Sequence, residues 1–102
     1  MQNLLTDKIN DLKKICNSFR VKKLYAFGSI VSNKFNNESD IDFLISFDEN
    51  IPLEQYADNY FSIHYKLKEL FKRKIDLVTE RSLKNPYFIE SIDESKQLIY
   101  EA

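Results

Sequence analysis

The chain has 102 residues, 43% of them hydrophobic and 30% charged, with a formal net charge of −1. That supports one domain with one core, lacks the basic footprint of a general nucleic-acid coat, and contains no apolar run near the ~20 residues of a membrane-spanning helix. One cysteine, Cys16, excludes an internal disulfide; one histidine, His64, excludes a zinc cluster; and the polar, periodic N-terminus gives no signal peptide, so the cytoplasm is the default compartment.

Along the chain, Leu4, Leu5, Ile9, Leu12, Ile15, Cys16 and Phe19 fall at helical spacing and predict an amphipathic helix over 4–19, with Cys16 as a small buried hydrophobe. "KKLYAF" reads as a short strand that the only glycine, Gly28, breaks. Residues 30–35 predict a short helix or a turn, and "NNES" is turn chemistry. "DIDFLISF" is the clearest strand: Ile41, Phe43, Ile45 and Phe47 share one face, and Asp40, Asp42, Leu44 and Ser46 the other. After the loop "DENIP", a second helix spans 53–72, ending in the basic "KRK" that a helix C-terminus favours. "KIDLVT" is a third strand and "RSLKNP" a loop. Pro86 suits the start of a helix from about Tyr87 to Glu94, and "QLIYEA" reads as a closing strand.

This order predicts a small α/β or α+β sandwich, with the two long helices together on one face of the sheet. Ile41, Phe43, Ile45, Ile75 and Leu77 are expected to be buried. His64 reads as a packed or capped core residue, and Tyr56, Tyr60, Phe61 and Tyr65 as mostly core. Lys72 and Arg73 read as a solvated helix end, and Arg81 and Lys84 as cations near the mouth of a site.

The chemistry concentrates in three carboxylates and one turn. Asp40 and Asp42 are two apart on a strand, so both point to one face, where like charges disfavour each other. A divalent cation converts that repulsion into ligation, and Mg²⁺ takes carboxylate oxygens together with phosphates and water. In "KIDLV" Asp76 occupies an equivalent position; if the two strands are neighbours, all three carboxylates share the polar face. Such a set suits two-metal phosphoryl or nucleotidyl transfer. Gly28 removes the Cβ obstacle to a phosphate's approach and Ser29 adds a hydroxyl, so Gly28-Ser29 is the expected phosphate cradle, with the amides of a following helix behind it.

"GS", ten residues, then "DID" resembles the GSx10DxD signature of the DNA polymerase β-like nucleotidyltransferase superfamily. The "SDIDFLI" and "KIDLV" contexts resemble its minimal, MNT-type members. The resemblance runs from about Leu24 to Tyr100. It implies a single domain over 1–102 with the polymerase β-like palm fold, a small mixed sheet with helices packed on one face. It implies that Gly28 and Ser29 bind nucleotide phosphate, and that Asp40, Asp42 and Asp76 are the catalytic, metal-ligating carboxylates. It also implies Mg²⁺ as cofactor, ATP as substrate, and a HEPN-type toxin as partner, with AMP passing to one of the toxin's tyrosines. Ile30, Val31, Ser32 and Asn33 stand where many relatives carry arginine and then glycine.

Two other readings stay open at this point. One is a nucleotide-binding antitoxin that silences its toxin by occlusion alone. The other is a small-molecule nucleotidyltransferase working as a homodimer.

Overall fold

The computed structural model describes residues 3–102. Helices α1 (Asn3–Asp7) and α2 (Ile9–Ser18) are followed by strand β1 (Val21–Phe27) and strand β2 (Ile41–Phe47). Helix α3 (Leu53–Phe71), strand β3 (Ile75–Thr79), helix α4 (Pro86–Ser95) and strand β4 (Gln97–Glu101) complete the chain. No helix among the described residues is long and apolar enough to cross a membrane. The predicted first helix is interrupted at Lys8, which leaves helical geometry with φ −111° and ψ 14°. No side chain caps the restart, so the sequence carries no marker for the break.

The sheet is mixed, in the order β3-β2-β1-β4. β1 pairs antiparallel with both β2 and β4, while β2 and β3 run parallel. A parallel pair needs a long crossover, and α3 supplies it. The alternation read from "DIDFLISF" holds: Ile41, Phe43 and Ile45 are fully buried, and Ile75 and Leu77 are nearly so. They pack with Leu5, Leu12, Cys16, Ile63, Leu67 and Phe71, so α1, α2 and α3 cover one face. Burial pushes the Cys16 thiol up to about 12, which leaves it an inert hydrophobe.

The other face is only partly covered. Leu44, an apolar residue on the mainly polar face of β2, packs with Phe27 and with Ile92 of α4. The fourth helix therefore lies opposite the other three. Its start was legible: the Asn85 side chain accepts from the backbone N–H groups of Tyr87 and Phe88 at 2.9 and 3.3 Å, with Pro86 at the first helical position.

Two side chains of α3 protect the free edge of β3. The Tyr60 hydroxyl donates to the Leu77 carbonyl at 2.7 Å, and His64 Nε2 donates to the Ile75 carbonyl at 2.8 Å. His64, expected as a packed or capped core residue, is half-buried and bonded to the strand edge. Tyr56 and Tyr60 pack against the core, but Phe61 and Tyr65 are 68% and 60% exposed, which corrects the expectation that the set is mostly core. Both line a shallow groove beside the β3 edge, together with His64 and Ile75.

Candidate active site

The end of β1 and the start of β2 and β3 meet at one edge of the partly covered face. Phe27 pairs with Asp42 across β1 and β2, and Asp42 pairs with Asp76 across β2 and β3. Directly paired residues project to the same face, so the pairing itself puts Asp42 beside Asp76. The two carboxyl groups share a hydrogen bond. Burial pushes Asp42 up to about 6, helped by the Asp76 charge, by the hydrogen bond with Asp76 and by the Asp40 charge.

Gly28 follows with φ +75°, a backbone region that L side chains rarely adopt. A Cβ built there would overlap Asp42 Oδ2 and lie 3.4 Å from Asp42 Cγ. The only glycine in the chain therefore serves two needs: a positive φ, and close approach of backbone to a carboxylate. From Gly28 the chain makes a single 3₁₀ turn, Gly28–Val31, pinned by fully buried Ile30 and closed by Ser32 N–H donating to the Ser29 carbonyl at 3.0 Å. Of the short helix or turn expected over 30–35, the structure forms the turn, starting earlier, at Gly28. The turn offers individual N–H groups and the Ser29 hydroxyl, not the dipole of a longer helix.

Asp40 lies just before β2. Its Oδ2 is 3.7 Å from Lys74 Nζ, with the two side chains 39% and 73% exposed, a pair weak enough to exchange readily. Among the described residues no group of three or more His, Cys, Asp and Glu side chains forms a ready metal cage. The tight unit is Asp42 with Asp76, and Asp40 is held to one side by Lys74.

Sequence reasoning missed the residue that fixes this approach. Arg73 Nη1 donates to the carbonyls of Ser39 at 2.9 Å and Asn36 at 3.2 Å, and its guanidinium stacks over the Phe35 ring at 4.6 Å. A residue read as a solvated helix end is a clamp on the loop that delivers Asp40. A signal existed: Arg73 immediately precedes the "KID" strand, and a parallel neighbour of "DID" must bring that position beside Ser39. Arg81 does not open onto the carboxylates. It follows Thr79, which pairs with Ile45 at the other end of β3, and it lies 4.2 Å over the Tyr56 ring. Lys84 directly precedes the Asn85 cap of α4, whose Phe88 meets Phe27 edge-on at 6.3 Å.

The chain resembles known proteins in sequence and in fold. The family described as "Nucleotidyltransferase domain" matches residues 9–99. A Methanocaldococcus jannaschii protein named "Putative protein adenylyltransferase MJ1379" is 38% identical over 89 residues, 86% of this chain and 85% of that one. Among solved structures, one described as a toxin-antitoxin with AMP-PNP superposes with a TM-score of 0.70 at 18% identity, over 92% of this chain and 73% of the other. Another, a tri-AMPylated Shewanella oneidensis HEPN toxin in complex with MNT antitoxin, gives 0.65 at 16% identity, over 95% and 72%.

Proposed function

The chain belongs to the nucleotidyltransferase-domain family, and from that premise we propose that it transfers AMP from ATP to a tyrosine hydroxyl of a HEPN-type toxin, silencing it as an antitoxin. The observation that carries this reading is the register: Asp42 and Asp76 adjacent on β2 and β3, with a Cβ-free backbone against Asp42. Two carboxylates sharing a hydrogen bond in a half-buried setting form an acceptor-rich pair that needs either a proton or a cation. That donor set fits Mg²⁺, a hard cation that favours oxygen ligands. Asp42 and Asp76 would hold it, with Asp40 joining once Lys74 releases its carboxylate. When bound, the cation supplies charge neutralisation for the triphosphate and for the pyrophosphate that leaves.

The remaining work belongs to the protein. Gly28 and Ser29 bind phosphate oxygens through backbone N–H and hydroxyl donors. Asp76, the exposed member of the pair, takes the proton of the acceptor hydroxyl as its oxygen attacks the α-phosphorus. The bond from α-phosphorus to the bridging oxygen breaks, and pyrophosphate departs. The site lies open on the sheet face, so exclusion of water and alignment of the acceptor require a second surface. The relative complexed with an AMPylated HEPN toxin supports a toxin as that surface.

The test is labelled ATP and Mg²⁺ with and without a co-purified partner, followed by mass spectrometry of both chains. An AMP adduct on a partner tyrosine, lost in Asp42→Asn and Asp76→Asn, is the expected outcome. A partner silenced equally by Asp42→Asn, with no adduct, refutes transfer in favour of occlusion. Efficient labelling of a small molecule by the chain alone refutes the toxin acceptor.

A further inference from the structure

Helix α3 carries a second apolar face that nothing among the described residues covers. Leu53, Ala57, Phe61 and Tyr65 recur every four residues and so lie along one side of the helix. Leu53 is 75% exposed, Phe61 68% and Tyr65 60%. The core-facing stripe of the same helix, Ile63, Leu67 and Phe71, is separately satisfied against the sheet. Apolar side chains aligned over about 18 Å of helix form a contiguous patch of the kind that marks an interaction surface. The adjoining edge of β3 does not compete for a partner strand at Ile75 and Leu77, because His64 and Tyr60 already bond those carbonyls.

The geometry points to a second copy of this chain as the occupant, with the two α3 helices packed antiparallel about a two-fold axis at Phe61. Three pairings share that centre. Phe61 meets its own counterpart. Ala57 lies opposite the second copy's Tyr65, small against large. Glu54 lies opposite the second copy's Lys68, acid against base. The charge pattern supports the antiparallel sense: exposed Glu54 and Asp58 flank the N-terminal half of the stripe, and exposed Lys66, Lys68 and Lys72 its C-terminal end. Glu69, the acidic residue at the basic end, is hydrogen-bonded to the Tyr65 hydroxyl. Glu54, Asp58 and Lys68 have no ion-pair partner among the described residues. A parallel pair would set like charges together; the antiparallel pair sets each acidic half on a basic one, and a surface complementary to itself selects its own copy. Asp42 and Asp76 project from the sheet face opposite α3, so the dimer leaves both carboxylate sites open. The inference is independent of the transfer reaction proposed above.

Sedimentation equilibrium and light scattering on the full chain, from about 1 to 100 µM, test it. The wild-type chain is expected to be dimeric at the upper end, and Phe61→Glu monomeric throughout with an unchanged circular dichroism spectrum. Glu54→Lys and Lys68→Glu each weaken association by about tenfold, since every contact occurs twice, and the double variant recovers to within about threefold of wild type. A monomeric wild-type chain at about 100 µM overturns the proposal. So does a dimer indifferent to Phe61→Glu, or a double swap that restores nothing. Loss of toxin binding in Phe61→Glu alongside a monomeric wild type also overturns it and assigns the stripe to the toxin.

Discussion

Replacing Gly28 with alanine probes the site at its tightest point. Two costs add. An L residue held at φ +75° carries about 1–2 kcal/mol of backbone strain. The new Cβ also lands on Asp42 Oδ2, so the carboxylate must move. Against this, alanine restricts the unfolded chain, returning about 0.4–1 kcal/mol. The two backbone effects alone leave about 1 kcal/mol of destabilisation, or about 4–8 °C in Tm for a chain of this size, and the displaced carboxylate adds to it. Function suffers more, because a carboxylate displaced by about 1 Å costs on the order of a hundredfold in rate. A cycle with Asp42→Ala separates the two costs. Without the Asp42 carboxylate the overlap vanishes and only the backbone strain remains, so the stability penalty of Gly28→Ala shrinks in that background. The assays are thermal unfolding of all four proteins and the rate of AMP transfer by the two that retain Asp42. Transfer by Gly28→Ala within twofold of wild type, or a penalty identical in both backgrounds, refutes the reasoning.

Asp42 ordinarily titrates at 3.8 and is pushed up to about 6 here. Between those values the folded protein keeps a proton that the unfolded chain has released, so metal-free stability falls as pH rises from about 4 to 6 and then levels off. Asp42→Asn should accordingly melt a few degrees above wild type at pH 7–8 and lose that advantage near pH 4, as read by scanning calorimetry; transfer should rise with pH through about 6, as the proton yields the pair to Mg²⁺. Arg73→Ala releases the Asn36 and Ser39 carbonyls, each bonded to a charged donor worth about 1.5–3 kcal/mol. A fall in kcat/KM of about 10–100-fold is expected, not rescued by Arg73→Lys, which lacks the planar fork. Lys72 ends α3 in the left-handed region at φ 53° and is exposed, so Lys72→Gly should raise stability by about 0.5–1 kcal/mol in urea titration, with transfer unchanged.

The features legible in the sequence are those with a short period or a local chemical signature. The alternation in "DIDFLISF" identified the core face of β2, and Pro86 marked the start of α4. What stayed hidden depends on which elements become neighbours. Leu44 broke the polar alternation, and only the tertiary fold shows that α4 answers it from the opposite side. The helical period of 53–72 could not distinguish two apolar faces, because alternate aromatic pairs serve different ends: Tyr60 and His64 cap the β3 edge, while Phe61 and Tyr65 face outward. Arg20 and Lys72 take the left-handed conformation that glycine usually occupies at helix ends, so those two ends carried no glycine signal. The same scarcity sharpens the meaning of Gly28. A chain that tolerates arginine and lysine at positive φ elsewhere keeps glycine at the one such position where a Cβ would meet a carboxylate. Backbone conformation alone does not explain that choice. The proximity of Asp42 does, and it ties the opening of the turn to the geometry of the acidic pair.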